Sequence, residues 1–263
     1  MTNEPFVILI DLDNTLQGNI LPQLSEYNLH LYLIQNTKEY NRINKNVNKD
    51  IADDFKHGLL RPKFRRFVKT ITSIVPNVEF YIYTASDDLW AKYIIKILEC
   101  SIDFKFNTPI FTRKHCLLDN NEGKYMKRIE LVTPLIAHKL KSKYPSTIIT
   151  PKRYKFKNII LIDNNVVLYE DEINHLIKCN DYEGIYIIDT LRNVPQFIIK
   201  KYYILISQHL YDNTPSSLIE FYSFHYNYLK NSINSQKLRM KSNKNTTICW
   251  KEIMISINKK LKN

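Results

Sequence analysis

The apolar residues of the first two thirds of this chain are concentrated in three short runs, at residues 6–10, 78–83 and 159–162. The first and last runs are uninterrupted, as is typical of strands buried on both faces of a parallel sheet. The middle run is rich in β-branched and aromatic residues, which also favour strands. Open parallel sheets bind their ligands beyond the carboxyl ends of their strands. The pattern therefore predicts an α/β fold with its functional groups at the ends of these runs.

Helical spacing of apolar positions separates the predicted strands. Residues 61–76 place Phe64, Phe67 and Ile71 on one side of a helix. Asp87 is a suitable N-cap for the helix that follows the second strand. Further helices are predicted at residues 129–144, 193–212 and 216–231, and a further strand at residues 183–191.

Two segments fall outside this alternation. Residues 17–60 are interpreted as a small insertion or cap near the site, or as a surface excursion without contact to substrate, and their asparagine-rich part at 36–50 is predicted to loop out. Residues 213–263 are predicted to form a helical, basic C-terminal extension, which leaves residues 1–212 as the main domain. The end of this extension either docks an acidic partner or is a weakly ordered tail, of which the part around Trp250 packs.

Composition adds a strong positive charge to this picture. The 263 residues carry a formal net charge of +12. Nucleic acid, a phosphorylated peptide and an anionic surface are therefore plausible partners. Lysine enrichment through an AT-rich coding sequence explains the same charge without any partner, and both explanations stay open.

The cysteines and the apolar run lengths set the expected cellular environment. The four cysteines are far apart and include no Cys-x-x-Cys pair, so neither a zinc site nor a disulfide framework is predicted. We find neither a signal-peptide pattern nor an apolar run long enough to cross a bilayer. We therefore expect a soluble intracellular protein in a reducing compartment, without a membrane partner, in either the cytoplasm or the nucleus.

Acidic residues at two strand ends are the strongest chemical signal. Asp11 and Asp13 are two positions apart in an extended segment, so both carboxylates point the same way and need a cation or a shared proton. Asp163 ends the third apolar run, and hard oxygen ligands from neighbouring strand ends suit a divalent cation. Thr84 ends the second run where a helix begins, a position that offers hydroxyl and N–H donors to a phosphate. The alternatives are a solvated acidic turn and an ordinary strand-end threonine.

These motifs together resemble a known family. The sequence has DLDNTL at residues 11–16, Arg-Pro at 61–62, YTAS at 83–86, RKHC through GKYMK at 113–127, and LIDNN at 161–165. This order is similar to that of the NLI-interacting-factor-like branch of the haloacid-dehalogenase (HAD) superfamily, which includes small phosphatases of the RNA polymerase II C-terminal domain. The resemblance covers roughly residues 5–210. It implies a Rossmann-like HAD fold with a central parallel sheet and a minimal cap.

The resemblance also implies roles for individual residues. Asp11 would be the nucleophile and Asp13 the general acid and base. Thr84, Lys127 and Arg113 would bind the phosphate or face the substrate, although spacing alone does not single out one lysine in this region. A Mg²⁺ ion would be held by Asp11, Asp13, Asp163 and Asn164.

The expected function is a Mg²⁺-dependent phosphatase of phosphoserine or phosphothreonine in proteins, acting through an aspartyl phosphate. Its partner would be a phosphorylated protein, with the RNA polymerase II tail as one candidate. One alternative is a phosphatase of nucleic-acid ends or small phosphomonoesters, favoured by the basic charge. A second alternative is a catalytically silent adaptor of the same fold.

Overall fold

The computed structural model describes residues 5–40, 47–145, 159–184, 189–242 and 249–262. Within these residues the strands are β1 (Phe6–Ile10), β2 (Val78–Ile82), β3 (Cys116–Asp119), β4 (Lys124–Lys127), β5 (Ile159–Asp163) and β6 (Leu176–Lys178). The helices are α1 (Leu21–Asn36), α2 (Val47–Asp54), α3 (Phe64–Ile74), α4 (Asp88–Ile102), α5 (Ile129–Lys143), α6 (Gln196–Tyr211), α7 (Leu218–Ser242) and α8 (Cys249–Lys262).

A four-stranded parallel sheet in the order β2-β1-β5-β6 confirms the predicted α/β class. Ile10 at the end of β1 is in register with Ile82 of β2 and with Ile162 of β5. The polar residues that follow these three strands therefore emerge at the same edge of the sheet. β3 and β4 form a separate antiparallel hairpin.

Both faces of this sheet are covered, which explains why β1 and β5 consist only of apolar residues before Asp163. On one face, alternate strand residues such as Val7, Leu9 and Leu161 pack with the apolar side of α5. The α5 side chains in this cluster are Ile129, Val132, Ile136, Ala137 and Leu140.

Aromatic side chains cover the other face. Phe67 of α3 contacts Phe80 of β2, with ring centroids 6.3 Å apart. Trp250 of α8 stacks on Phe67 at 4.6 Å and lies 5.5 Å from Phe64. Trp250 is only 4% exposed. The first turn of α8 therefore packs through this side chain against α3 and is part of the α/β core. The predicted helical C-terminal extension is confirmed.

The chain divides into two compact units. The first comprises Met1–Gly18, Leu60–Tyr182 and Asn245–Asn263, and includes the sheet, the hairpin and α8. The second comprises Asn19–Leu59 and Glu183–Lys244. Within the second unit, α1, α6 and α7 share a core, and Arg192 forms ion pairs with the buried Glu26 and Asp54. The domain boundary between residues 212 and 213, and the role of residues 17–60 as a cap, stay predictions.

Local differences from the sequence prediction have simple causes. α3 begins at Phe64 because Lys63 adopts a left-handed conformation with φ of 67°. α2 begins at Val47, inside the stretch that we predicted to loop out. The predicted strand at 183–191 falls partly on residues 185–188, which lie outside the described residues, and its described flanks are not strand. β6 has three residues, too few for a periodic pattern to reveal.

None of the helices described is both long enough and apolar enough to cross a membrane.

Candidate active site

The edge of the sheet brings together Asp11, Lys127 and Asp163. Asp11 directly follows β1, and its N–H donates to Ile162 O at 3.0 Å. Asp163 is the last residue of the neighbouring β5. The Lys127 ammonium lies 2.6 Å from Asp11 Oδ1 and 2.6 Å from Asp163 Oδ2. All three side chains are buried, and Asp11 is the most exposed of them, so two carboxyl groups are bridged by one ammonium largely out of contact with water.

The β3–β4 hairpin selects Lys127 from the many basic residues of this region. Cys116 at the start of β3 pairs with Lys127 at the end of β4, and Gly123 takes the positive φ that the intervening turn requires. The Lys127 N–H donates to Val167 O at 2.8 Å, and its ammonium lies 5.6 Å from the ring centre of Tyr83. The pairing of β3 with β4 therefore places the Lys127 side chain against Asp11 and Asp163.

Asp13 is half-buried, and both of its carboxylate oxygens accept hydrogen bonds. Gln17 Nε2 donates to Oδ1 at 3.0 Å. Ser86 Oγ donates to Oδ2 at 2.6 Å, which joins the loop after β1 to the turn after β2. The Asp13 carboxylate is therefore held apart from the ammonium bridge, on the side of the Thr84–Ser86 turn.

Thr84 and Arg113 flank this same turn. Thr84 is buried; its N–H donates to Phe111 O at 2.9 Å and its Oγ accepts from Ser86 N at 3.1 Å. The turn leads into α4, whose N-cap Asp87 accepts from Leu89 N at 2.9 Å as predicted. Arg113 is exposed, donates through Nε to Ala85 O at 2.9 Å, and lies over the ring of Tyr125. Thr84 and Arg113, which the resemblance predicts to bind phosphate, therefore both lie beside Ser86, the residue that donates to Asp13.

Asn164 is fixed by a network at the base of the site. Thr15 Oγ donates to Asn164 Oδ1 at 2.9 Å and accepts from Asn164 N at 2.9 Å. Asn164 Nδ2 donates to Asp181 Oδ1 at 3.0 Å. The buried Arg61 donates to Asn14 O at 3.0 Å and to Asn180 O at 2.6 Å. The loops after β1 and β5 are therefore held together by side chains as well as by the sheet.

Comparison with known protein families agrees with this arrangement. The family model described as NLI interacting factor-like phosphatase matches the chain over residues 6–202. The chain belongs to this family. No protein in the curated comparison set matches it. The predicted family is therefore confirmed, and NLI interacting factor-like phosphatases, as members of the HAD superfamily, typically use Mg²⁺.

The electrostatics of the site are those of an incompletely neutralised acidic cluster. Burial raises the pKa of Asp11 to about 8, because the attraction of Lys127 does not offset burial and the repulsion from Asp163 and Asp13. Burial opposes the charge of Lys127, yet Asp11 and Asp163 hold the pKa of its ammonium above the ordinary lysine value. One ammonium thus serves several carboxylates, and the site lacks positive charge.

A Mg²⁺ ion fits this deficit in both charge and donor type. Asp11 and Asp163 offer hard carboxylate oxygens at adjacent strand ends, and a cation beside Asp11 would favour its ionised form. Asp13 would contribute its main-chain carbonyl, since its carboxylate is bonded to Gln17 and Ser86. In the described part of the chain, no three Asp, Glu, His or Cys side chains form a metal cluster by themselves. The predicted set of Asp11, Asp13, Asp163 and Asn164 stays a prediction.

The sequence pattern did not identify the residues whose hydrogen bonds orient Asp13 and Asn164. Ser86 belongs to the YTAS motif, and its contact with Asp13 could have been proposed from that position. Gln17 and Asp181 carry no motif and emerge only from the fold. Arg61 was noted as part of a motif, but its burial under the Asp11–Thr15 loop was not predicted. The assigned roles of the predicted residues stay predictions.

Proposed function

We propose that this family member is a Mg²⁺-dependent phosphatase that hydrolyses phosphoserine and phosphothreonine in proteins through an aspartyl phosphate on Asp11. The observation that carries the proposal is the buried contact of Lys127 with both Asp11 and Asp163 at the carboxyl edge of the sheet. A phosphate monoester repels nucleophiles through its own charge. A site for its hydrolysis therefore needs a nucleophile and fixed positive charge in one small volume.

In the first step a carboxylate oxygen of Asp11 attacks phosphorus, and the bond between phosphorus and the serine or threonine oxygen breaks. Asp13 gives a proton to the departing oxygen. Gln17 and Ser86 hold the Asp13 carboxyl for this transfer, since each donates to one of its oxygens. Lys127 and the Thr84 hydroxyl stabilise the negative oxygens of the phosphoryl group.

In the second step Asp13 takes a proton from a water molecule that attacks the phosphorus of the aspartyl phosphate. The bond between phosphorus and Asp11 breaks, and inorganic phosphate leaves. Asp11, Asp163, Asn164 and the carbonyl of Asp13 would hold Mg²⁺, which would supply further positive charge beside the phosphoryl oxygens. The two steps use one carboxylate as a nucleophile and the other as a proton carrier, which fits their different surroundings.

A phosphoprotein is the substrate class favoured by family membership. The exposed Arg113, held over Tyr125 beside the Thr84–Ser86 turn, offers a cation to a peptide that enters from this side. The formal net charge of +12 favours a second candidate, the phosphorylated end of a nucleic acid.

Hydrolysis of a small aryl phosphate, with Mg²⁺ or with a chelator, tests the chemistry. We expect activity only with Mg²⁺ and none in Asp11→Asn. Asp171→Asn is the matched control, because Asp171 is an exposed aspartate paired with Arg128, and it should keep full activity. Activity that survives in Asp11→Asn would remove the proposed nucleophile. Inactivity of the unmodified protein on every phosphomonoester would favour the adaptor.

A comparison of leaving groups tests Asp13 separately. Asp13→Asn should lose about 10²–10⁴-fold in kcat/KM, which reports the first step alone, on a phosphoserine peptide. Its loss on an aryl phosphate should be much smaller, because an aryl oxide leaves without a proton. Equal losses on both substrates would contradict the role of proton donor.

The substrate class is tested by offering a phosphoserine peptide and a 3′-phosphorylated oligonucleotide at matched salt. A higher kcat/KM for the peptide supports the proposal. A higher value for the oligonucleotide that falls steeply with added salt would instead support the nucleic-acid function.

A further inference from the structure

Helix α7 has two apolar sides, although a surface helix needs only one. Its inner side is part of the core of the second unit, where Phe221 is fully buried and Leu218 packs beside it. A second set of large apolar side chains, here called the α7 stripe, is exposed or half-buried and consists of Ile219, Tyr222, Tyr226, Leu229 and Ile233. Ile219 is 83% exposed and Tyr226 65%. Contiguous apolar surface, unlike a single exposed apolar residue, marks an interaction site.

The α7 stripe has the spacing of a coiled-coil seam. Its members are separated by three, four, three and four positions, which is the spacing of the a and d residues in a heptad repeat. From Ile219 to Ile233 the stripe extends for about 21 Å along the helix axis, at 1.5 Å per residue. Gln236 and Met240 continue the same spacing along the sequence. An apolar strip of this kind is complementary to the apolar side of a second helix.

The charges of α7 indicate which kind of helix would pack on the stripe. The only acid in the sequence of α7 is Glu220, whereas its cations are Lys230, Lys237, Arg239 and Lys241. With Ile219 as an a residue, Lys230 and Lys237 occupy e positions, and both are exposed. Residues at e positions flank the seam and contact the partner helix. A helix on the stripe would therefore meet two lysines, which Glu or Asp at its facing positions would neutralise.

A second copy of α7 would not supply these acids. In a parallel pair of helices each e residue faces a g residue of the other helix, and in an antiparallel pair it faces another e residue. The g residues that would face the two lysines are His225 and Ser232, and the e residues are Ser223, Lys230 and Lys237. Neither orientation places a carboxylate against Lys230 or Lys237. Charge therefore disfavours pairing of α7 with itself and favours an acidic partner.

We propose that the α7 stripe binds an acidic amphipathic helix of another protein, with apolar residues at the a and d spacing and Glu or Asp beside them. The apolar contacts supply the affinity, because burial of one large apolar side chain lowers Kd about tenfold or more. The lysines mainly select the partner, since exposed ion pairs add little affinity. The Tyr222 hydroxyl donates to Gln196 Oε1 at 2.8 Å, so one ring of the stripe is already held in place in the free protein. This inference does not depend on the proposed phosphatase activity.

The test measures binding of the full chain to a fluorescent synthetic peptide of about four heptads, with Leu at a and d and Glu at e and g. Repulsion between the Glu residues keeps this peptide from pairing with itself. Fluorescence anisotropy should show saturable binding. A peptide of the same composition in scrambled order has no apolar seam and should bind at least about tenfold more weakly. Equal binding of the two peptides, or no binding of the ordered one, would overturn the proposal.

Substitutions in the stripe test the apolar contacts. Tyr226→Ser combined with Ile233→Ser should raise Kd for the ordered peptide at least about tenfold. Both side chains are exposed, so the variant should keep the circular dichroism spectrum of the unmodified chain. Phe224→Ser is the matched control, because Phe224 is an exposed aromatic residue of the same helix outside the heptad spacing, and its Kd should stay within about twofold. Equal weakening in both variants would contradict a seam.

Charge reversal tests the preference for an acidic partner. Lys230→Glu combined with Lys237→Glu should lose binding to the Glu peptide and gain binding to a peptide with Lys at e and g. Lys96→Glu combined with Lys139→Glu, at exposed positions of α4 and α5, changes the net charge equally and should keep the preference for the Glu peptide. The same preference in both double variants would overturn the proposal.

The mass in solution distinguishes another protein from a second copy of this chain. Light scattering should give the mass of one chain, 31.4 kDa, for the unmodified protein and for the variant with Tyr226→Ser and Ile233→Ser. A larger mass that falls to this value in the variant would show that a second copy covers the stripe, and would overturn the proposal.

Discussion

Lys127 Nζ lies 2.6 Å from Asp11 Oδ1, across 116 positions of the sequence. Its second carboxylate partner is Asp163, and all three groups are removed from water. Since Asp11 keeps its proton at pH 7, replacing Lys127 with methionine would leave the buried Asp163 carboxylate without its counter-charge. We expect Lys127→Met to lower the free energy of unfolding by about 3–5 kcal/mol at pH 7 without metal, as measured by urea denaturation.

Lys124→Met is the control for this substitution, because Lys124 lies on the same strand but is exposed and forms its ion pair with the exposed Glu122. Its effect should stay within about 0.5 kcal/mol. Similar losses in the two variants would mean that the buried bridge does not contribute as the contacts suggest.

The raised pKa of Asp11 predicts a pH dependence of stability in the absence of metal. Burial raises the pKa of this carboxyl from 3.8 to about 8, so the folded protein keeps a proton that the unfolded chain releases. The free energy of unfolding should therefore fall as the pH rises from about 4 to about 8, by up to about 1.4 kcal/mol per pH unit from this group. Asp11→Asn cannot ionise, and its stability should decline less over the same range.

Urea denaturation at several pH values in the presence of a chelator measures this difference. Asp171→Asn, at an exposed site, should follow the pH profile of the unmodified protein. Mg²⁺ should reduce the decline in the unmodified protein, because a cation favours the ionised form of Asp11. Parallel profiles for Asp11→Asn and the unmodified protein would contradict the raised pKa.

The strands that carry the site could be predicted from the sequence because burial on both faces leaves an unmistakable apolar run. β1 and β5 end where the pattern indicated, and the parallel register then brings Asp11 and Asp163 to adjacent strand ends. α4, the helix after β2, could be predicted equally well, because Asp87 is a local capping signal. The apolar runs and the helix cap each depend on residues that are close together in the sequence, so the sequence pattern reveals them.

The remaining parts of the site depend on contacts between distant segments. Lys127 was one of several basic residues in its region until the pairing of β3 with β4 singled it out. The contacts of Gln17 with Asp13 and of Asp181 with Asn164 involve no recognisable motif. The spacing of these residues along the chain does not indicate that they are in contact, because the contact forms only when the fold brings their segments together.

The two hydrogen bonds between Thr15 and Asn164 predict a sharp difference between two substitutions. Thr15→Val keeps the shape of the side chain but removes the hydroxyl that bonds to Asn164 Oδ1 and to the Asn164 main-chain N–H. We expect a loss of about 1–3 kcal/mol in the free energy of unfolding. Thr15→Ser keeps the hydroxyl and should lose less than half as much. Equal losses would show that the methyl group, and not the hydrogen-bonded hydroxyl, is what matters at this position.

The packing of Trp250 against α3 predicts how much α8 contributes to the free energy of unfolding of the α/β unit. Its ring lies 4.6 Å from Phe67 and 5.5 Å from Phe64, so Trp250→Ala would leave a cavity between α8 and α3. We expect this variant to lose about 3–5 kcal/mol in the free energy of unfolding. Trp250→Phe should lose at most about 1.5 kcal/mol, since it keeps an aromatic ring. Leu261→Ala, on the exposed side of α8, is the control and should have little effect. Unchanged stability in Trp250→Ala would mean that α8 is not required by the sheet that carries Asp11 and Asp163.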